Sequence, residues 1–197
     1  ALAKRAQGIH WIESEESMNY DLNEDQQILK NSAHNFFAKE CPITYVREMV
    51  DDQKGYSPEI WGKMAELGWL GLMFPEQLGG SEGSFLDLSV LLHEMGYACF
   101  PGPFFSTAVL GGLTLLGWGS EEQKKKRLSA IARGEEILTL AWTEKNGTYY
   151  ADGINLKAEQ KNNHYVLTGT KLFVPDAQIA DTIICAARTG AYQENAE

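Results

Sequence analysis

Apolar residues recur at helical spacing through the first two-thirds of the chain, and most of the periodic stretches open on a recognisable cap. Asn23 followed by Gln26 pairs an N-cap side chain with a reciprocal partner three residues on. Ile28, Leu29, Ala33, Phe36 and Phe37 then repeat with a period near 3.6 until Cys41-Pro42 stops the helix. Ser57-Pro58 places a cap before a proline at the first helical position, where the missing N–H costs nothing, and Ile60, Trp61, Met64 and Leu67 form one apolar face ahead of Gly68. Ser84 with Asp87 opens a third helix that turns Leu88, Leu91, Leu92 and Met95 inward and ends near Gly96. Pro101 and Pro103 force a break, after which residues 104–117 read as a buried, weakly amphipathic helix. Ser120 with Gln123 makes another capping box, and Gly134 suits the residue that follows a helix end. The pattern predicts about five helices.

At Glu136 the period changes. Residues 137–143 form a strand-like run; Ile154, Leu156 and Ala158 alternate with polar residues, as do Tyr165 and Leu167, and residues 182–187 are nearly continuous β-type sequence. Gly147, Gly153, Asn162-Asn163 and Gly169 punctuate these runs as turns. The expectation is an α+β chain, with an all-α helical bundle at residues 18–134 and an incomplete β-domain of about five strands at 135–197. Residues 1–17 stand apart as an extension or expression remnant ahead of Met18, without signal-peptide or transit-peptide character.

Composition narrows the function classes. A net charge of −10 argues against binding a nucleic-acid backbone, which needs a basic surface. The longest uncharged stretch, residues 95–120, is broken by Gly and Pro, so no membrane span is expected. Three widely spaced cysteines, Cys41, Cys99 and Cys185, fit core thiols in a reducing compartment: the cytoplasm, with the mitochondrial matrix as the alternative. No spacing suits a metal. The run Lys124-Lys125-Lys126-Arg127 lies on a capped helix and reads as a solvated face; phosphate binding is the alternative. His93, on an apolar helix, reads as a core histidine, and Gly79-Gly80 as a loop needing positive φ.

Several segments carry a more specific signal by their order. Pro75-Glu76-Gln77-Leu78-Gly79-Gly80 is followed by Leu92-His93-Glu94-Met95-Gly96, then by Gly119-Ser120-Glu121-Glu122-Gln123-Lys124. Next come the strand run ending Leu140-Ala141-Trp142-Thr143-Glu144 and the segment Gly169-Thr170-Lys171-Leu172-Phe173-Val174-Pro175-Asp176-Ala177. Over residues 20–188 this series resembles the amino-terminal helical domain and following β-domain of the acyl-CoA dehydrogenases. The resemblance implies a helical bundle followed by a partial antiparallel β-barrel, FAD as cofactor and an acyl-CoA thioester as substrate. It also implies an electron-transferring flavoprotein or similar acceptor, and a homo- or hetero-oligomer. The family's carboxylate base belongs to a later helical domain, so the resemblance places it beyond Glu197 and nominates no catalytic residue here.

By the same resemblance, Leu140, Trp142 and Thr143 stand where the family lines the flavin pyrimidine edge, and polar donors there stabilise the charge that develops on reduction. Thr143 on its own reads first as a strand-terminal turn cap, and the surrounding family pattern reverses that reading. Gly147 and Thr148 are the candidates in the next loop, where Glu144-Lys145-Asn146-Gly147-Thr148-Tyr149-Tyr150 departs from the family's Glu-Pro-x-Ala-Gly-Ser-Asp. Phe173 and Val174 match the second flavin segment, but Pro175 replaces a Thr, and proline offers no N–H or hydroxyl donor. Gly102, Pro103, Phe104, Ser106, Thr107 and Leu110 match the helix that lines the acyl pocket, or else form ordinary helix core. The leading expectation is flavin-dependent α,β-dehydrogenation of an acyl-CoA. The Pro175 and Tyr149-Tyr150 departures also suit a non-catalytic partner subunit of a heteromeric dehydrogenase, and a flavin oxidase or monooxygenase on the same fold is a third reading.

Overall fold

The computed structural model describes residues 21–190, so the proposed extension at 1–17 lies outside the described residues. Among the described residues six α-helices precede the strands: α1 (Glu24–Glu40), α2 (Ile43–Asp51), α3 (Pro58–Glu66), α4 (Phe85–Tyr97), α5 (Thr114–Trp118) and α6 (Glu121–Ala132). Each of the three capping boxes read from sequence, at Asn23, Ser84 and Ser120, forms in both directions. Helix α2 was not anticipated. Its Tyr45 and Val46 pack partly buried against the core, but the helix is only nine residues long, follows Pro42 directly and has no side-chain cap to announce it.

The stretch read as a buried α-helix at 104–117 differs in kind. Phe105–Leu113 is π-helical and runs directly into α5. Apolar composition reports burial but does not distinguish helical pitches. The core gathers around an aromatic cluster in which Phe37 packs on Trp69 and Phe100 at ring-centroid distances of 5.7 and 5.1 Å. Trp61 Nε1 donates to the Gly134 carbonyl at 3.2 Å, joining α3 to the end of α6. His34 Nδ1 lies 3.0 Å from the buried Glu94 carboxylate and joins α1 to α4.

Two single-residue expectations are overturned. His93 and Cys99 are exposed, because the buried face of α4 runs through Leu88, Leu91 and Met95, and Cys99 falls in the turn beyond that helix. Lys125 and Lys126 are exposed, as the solvated-face reading requires, whereas Arg127 pairs with the buried Glu136. Gly79 has φ 84°, but Gly80 is needed for space instead: a Cβ there would sit 2.0 Å from the Phe74 carbonyl oxygen.

Among the described residues four strands form, where about five were expected over 135–197: β1 (Leu138–Ala141), β2 (Ala158–Lys161), β3 (His164–Leu167) and β4 (Thr182–Cys185). They form two two-stranded sheets, with no closed barrel among the described residues. β2 and β3 make an antiparallel hairpin across Asn162-Asn163, but β1 and β4 run parallel, Leu138 opposite Thr182 and Ala141 opposite Cys185. A period of two does not encode strand direction; the nearly continuous apolar run at 182–187 was the available hint of a parallel strand, although β4 is only partly buried. Ile154 and Leu156 precede β2 without joining a strand, and the hairpin is tied to the chain after β4 by an Ala158 N–H bond to the Arg188 carbonyl at 2.7 Å.

The core does not stop where the helices do. Leu138 is fully buried among residues of the helical core, and β1 packs on the π-helical segment. The approach is close enough that a Cβ on Gly111 would lie 2.6 Å from Leu138 Cβ. Gly111→Ala should therefore cost about 1–3 kcal/mol through overpacking. Gly62→Ala, in α3 where a Cβ meets nothing within 4 Å, should gain roughly 0.5–1 kcal/mol. Urea unfolding of both variants checks this, and equal effects would contradict the close approach.

Candidate functional site

Two segments singled out from the sequence, some 30 residues apart, meet at the end of β1. The Leu172 N–H donates to the Thr143 carbonyl at 2.8 Å, and Lys171 Nζ donates to the Trp142 carbonyl at 3.0 Å. Lys171 also pairs with Glu144 at 2.8 Å, with both side chains largely buried. Glu144 accepts in addition from the Asn155 and Leu156 N–H groups, each at 3.0 Å by its shorter contact. Lys171, Glu144 and the start of the β2 arm thus form one charge-assisted knot that sets the loop against the strand.

Beyond the knot, residues 171–177 do not form a strand. Phe173 has φ 52° and Asp176 φ 54°, and the Phe173 side chain is 90% exposed. Below them, the fully buried Thr139 donates to the Pro175 carbonyl at 2.6 Å. Ser106, on the π-helical segment and 1% exposed, donates to Asp176 Oδ2 at 2.6 Å. Neither Thr139 nor Asp176 was nominated from sequence. A lone Thr inside an apolar strand was the signal for the first, since a buried hydroxyl must find a partner.

The remaining candidates fall into two groups. Leu140, Trp142 and Thr143 lie together at the end of β1 and beyond it, all partly buried. The Trp142 Nε1 atom is buried without a hydrogen-bond acceptor. Gly147, with φ 68°, and Thr148 sit in the loop after Glu144, where Asn146 donates to the Gly153 carbonyl at 2.7 Å; Tyr149 and Tyr150 are about four-fifths exposed, at 80% and 78%. Val174 is partly buried and Pro175 exposed.

The helix candidates turn inward. Pro103, Phe104, Ser106 and Thr107 are buried, while Gly102 and Leu110 are half-buried. Thr107 Oγ1 donates to the Leu138 carbonyl at 3.1 Å and accepts from the Leu138 N–H at 3.2 Å, so its hydroxyl satisfies one strand residue on both sides. Phe104 belongs to the hydrophobic core. An open groove of about 380 Å³ lies elsewhere, lined by Glu144, Asn155, Lys157, Val166, Thr168 and Thr170 among others.

These groups satisfy the donor requirement of a flavin edge in part. Thr143 can present a hydroxyl at the strand end, the Trp142 indole N–H is an unmatched donor, and Phe173 offers an aromatic face. Pro175 offers such an edge no N–H or hydroxyl donor, and its carbonyl is already engaged by Thr139.

Burial alone would raise the Glu144 carboxyl pKa, but Lys171 and the Leu156 and Asn155 N–H groups more than offset this and hold it below the ordinary glutamate value. A folded value below the unfolded one means the contribution is complete above about pH 4.3, the unperturbed glutamate range, and is lost as pH falls through the folded value. Glu144→Gln should therefore be less stable than the native chain at pH 7, and the gap should narrow as pH falls from 5 to 3. Urea midpoints across that range test it; a gap independent of pH would show that the charge of Glu144 is not what holds the knot.

Comparison with known proteins agrees with this architecture. Residues 23–135 match the family model of the acyl-CoA dehydrogenase N-terminal domain. The chain is 35% identical over 175 residues to the probable acyl-CoA dehydrogenase YngJ of Bacillus subtilis, a match spanning 88% of this chain and 46% of that protein. Among solved structures, the butyryl-CoA dehydrogenase of Megasphaera elsdenii superposes with a TM-score of 0.73 at 28% identity, over 88% of this chain and 46% of that one. The ChsE4–ChsE5 complex of Mycobacterium tuberculosis gives a TM-score of 0.74 at 25% identity, over 84% and 44%. The chain thus spans a little under half the length of the relatives it matches. With more than half of the chain, residues 23–135, matched by that family model, the chain belongs to the acyl-CoA dehydrogenase family of flavoprotein oxidoreductases.

Proposed function

We propose that this chain supplies part of the FAD site and part of the acyl-CoA site of a flavin-dependent α,β-dehydrogenase. The observation that carries the reading is the 2.8 Å bond from Leu172 N–H to the Thr143 carbonyl, which joins the backbone at the strand end to the loop that carries the exposed Phe173. Bound FAD supplies the two-electron acceptor for the substrate β-hydride, and members of the family depend on it. The protein's part is alignment and electrostatics. Thr143 donates to the pyrimidine edge, Trp142 Nε1 offers a second donor, and Phe173 covers a ring face, with Leu140, Gly147, Thr148 and Val174 shaping the surroundings.

The acyl group follows the π-helical segment, bounded by Gly102, Pro103, Phe104, Ser106, Thr107 and Leu110. Because Phe104, Ser106 and Thr107 are already packed or hydrogen-bonded within the chain, the space on that side is tight and favours a compact acyl group. No residue of this chain is assigned as the base that takes the α-proton. Electrons pass on to an electron-transferring flavoprotein or similar acceptor, and the working unit is an oligomer. Among the described residues no helix is long and apolar enough to cross a membrane.

A second reading has its own support. Tyr149, Tyr150 and Pro175 occupy positions where the family uses small or donating residues, and the ChsE4–ChsE5 neighbour is a complex of two different chains. A non-catalytic partner subunit would carry such departures without loss.

The visible spectrum of the full-length native protein, after incubation with excess FAD and removal of the unbound cofactor, separates the two. Near-stoichiometric flavin bands are expected, with no acyl-CoA-dependent bleaching by the 197-residue chain alone. A folded chain that retains no flavin would overturn the first reading in favour of the partner subunit.

A further inference from the structure

We infer that Ser106 and Thr139 are positioning residues, which clamp residues 173–176 from two sides and so fix the direction in which Phe173 is presented. Burial of its own ring does not hold Phe173 in place, because that ring is 90% exposed. Its backbone nevertheless has φ 52°, and Asp176, three residues on, has φ 54°; L side chains rarely adopt this region. Two such residues persist in one short segment only if the surroundings over-determine them.

The surroundings do so with two buried hydroxyls. Thr139 reaches up from β1 to the Pro175 carbonyl at 2.6 Å. Ser106 reaches across from the π-helical segment to Asp176 Oδ2, also at 2.6 Å. Ser106 has one proton and a second acceptor in reach, the Pro103 carbonyl at 3.0 Å; the shorter bond to a carboxylate group is the stronger claim on it. Pro175 completes the clamp, since its ring fixes its own φ and disfavours the α region for Val174. Leu172, bonded to Thr143, closes the other end.

Ser106 thereby holds the loop in addition to bordering the acyl group. The clamp rests on the geometry alone, and the ligand that Phe173 meets rests on the flavin reading. A plate whose conformational freedom is already spent binds a planar aromatic ring more tightly than a mobile one.

Limited chymotrypsin digestion of the full 197-residue chain, read by mass spectrometry at the 173–174 bond, tests the clamp without any ligand. Cleavage after Tyr149 and Tyr150 serves as the internal reference. Thr139→Val and Asp176→Ala should each raise relative cleavage at 173–174 by about tenfold, as expected of a loop released from its fixed conformation. Thr139→Ser and Asp176→Asn, which keep a donor and an acceptor, should stay near the native rate. FAD retention should fall in the same two variants and not in the conservative pair. Asp176 is only partly buried, so Asp176→Ala preserves the test if Thr139→Val fails to fold. Unchanged cleavage in a folded Asp176→Ala overturns the clamp. Faster cleavage in a family of variants whose parent retains no FAD overturns the flavin reading and leaves the clamp standing.

Discussion

The junction between the π-helical segment and β1 is the constraint on which the rest of the molecule depends. Leu138 is the first residue of β1 and is fully buried, so its backbone N–H and C=O both need partners away from water. Thr107 meets both with one hydroxyl, at 3.2 and 3.1 Å. The side chain stands in for a neighbouring strand. Gly111, one helical turn further on, removes the Cβ that would otherwise hold helix and strand apart.

Once β1 is seated there, the site follows from what lies on its far end and underside. Consecutive residues Ser106 and Thr107 serve different elements, the first bonding to the Asp176 side chain and the second to β1. Thr139, one residue beyond the junction, reaches the Pro175 carbonyl. Residues 171–176 are therefore supported from below by two buried hydroxyls and fixed at their start by Lys171 and Leu172. The Arg127–Glu136–Thr182 network fastens α6 to the entry of β1 and β4.

Much of the helical architecture was legible because caps are local chemistry. Asn23 with Gln26, Ser84 with Asp87 and Ser120 with Gln123 each satisfy end N–H groups within four residues, so the sequence pattern and the structure are nearly the same statement. Helix α2 escaped because it is short, follows Pro42 and lacks a side-chain cap, although Tyr45 and Val46 pack against the core. The candidate site was legible as two segments, 140–148 and 173–175, joined into one site only by the family resemblance and not by any local rule. Their proximity depends on bonds between residues about 30 apart, and no local rule connects Thr143 to Leu172. The nominated hydroxyls of Ser106 and Thr107 were visible as polar groups on an apolar helix, yet their partners lie on β1 and on the loop before β4.

What the sequence determined by itself was where helices begin, which faces they bury, where the period shifts from 3.6 to 2, and the family to which those segments belong. These properties are set by neighbours a few residues away. Tertiary structure alone decided that β1 and β4 run parallel, that the helix after Pro103 takes a π pitch, and that Phe173 stands in solvent on a left-handed backbone. Each of these conformations is unfavourable or undetermined in isolation, and each is held by buried hydrogen bonds whose two ends meet only when the chain is folded.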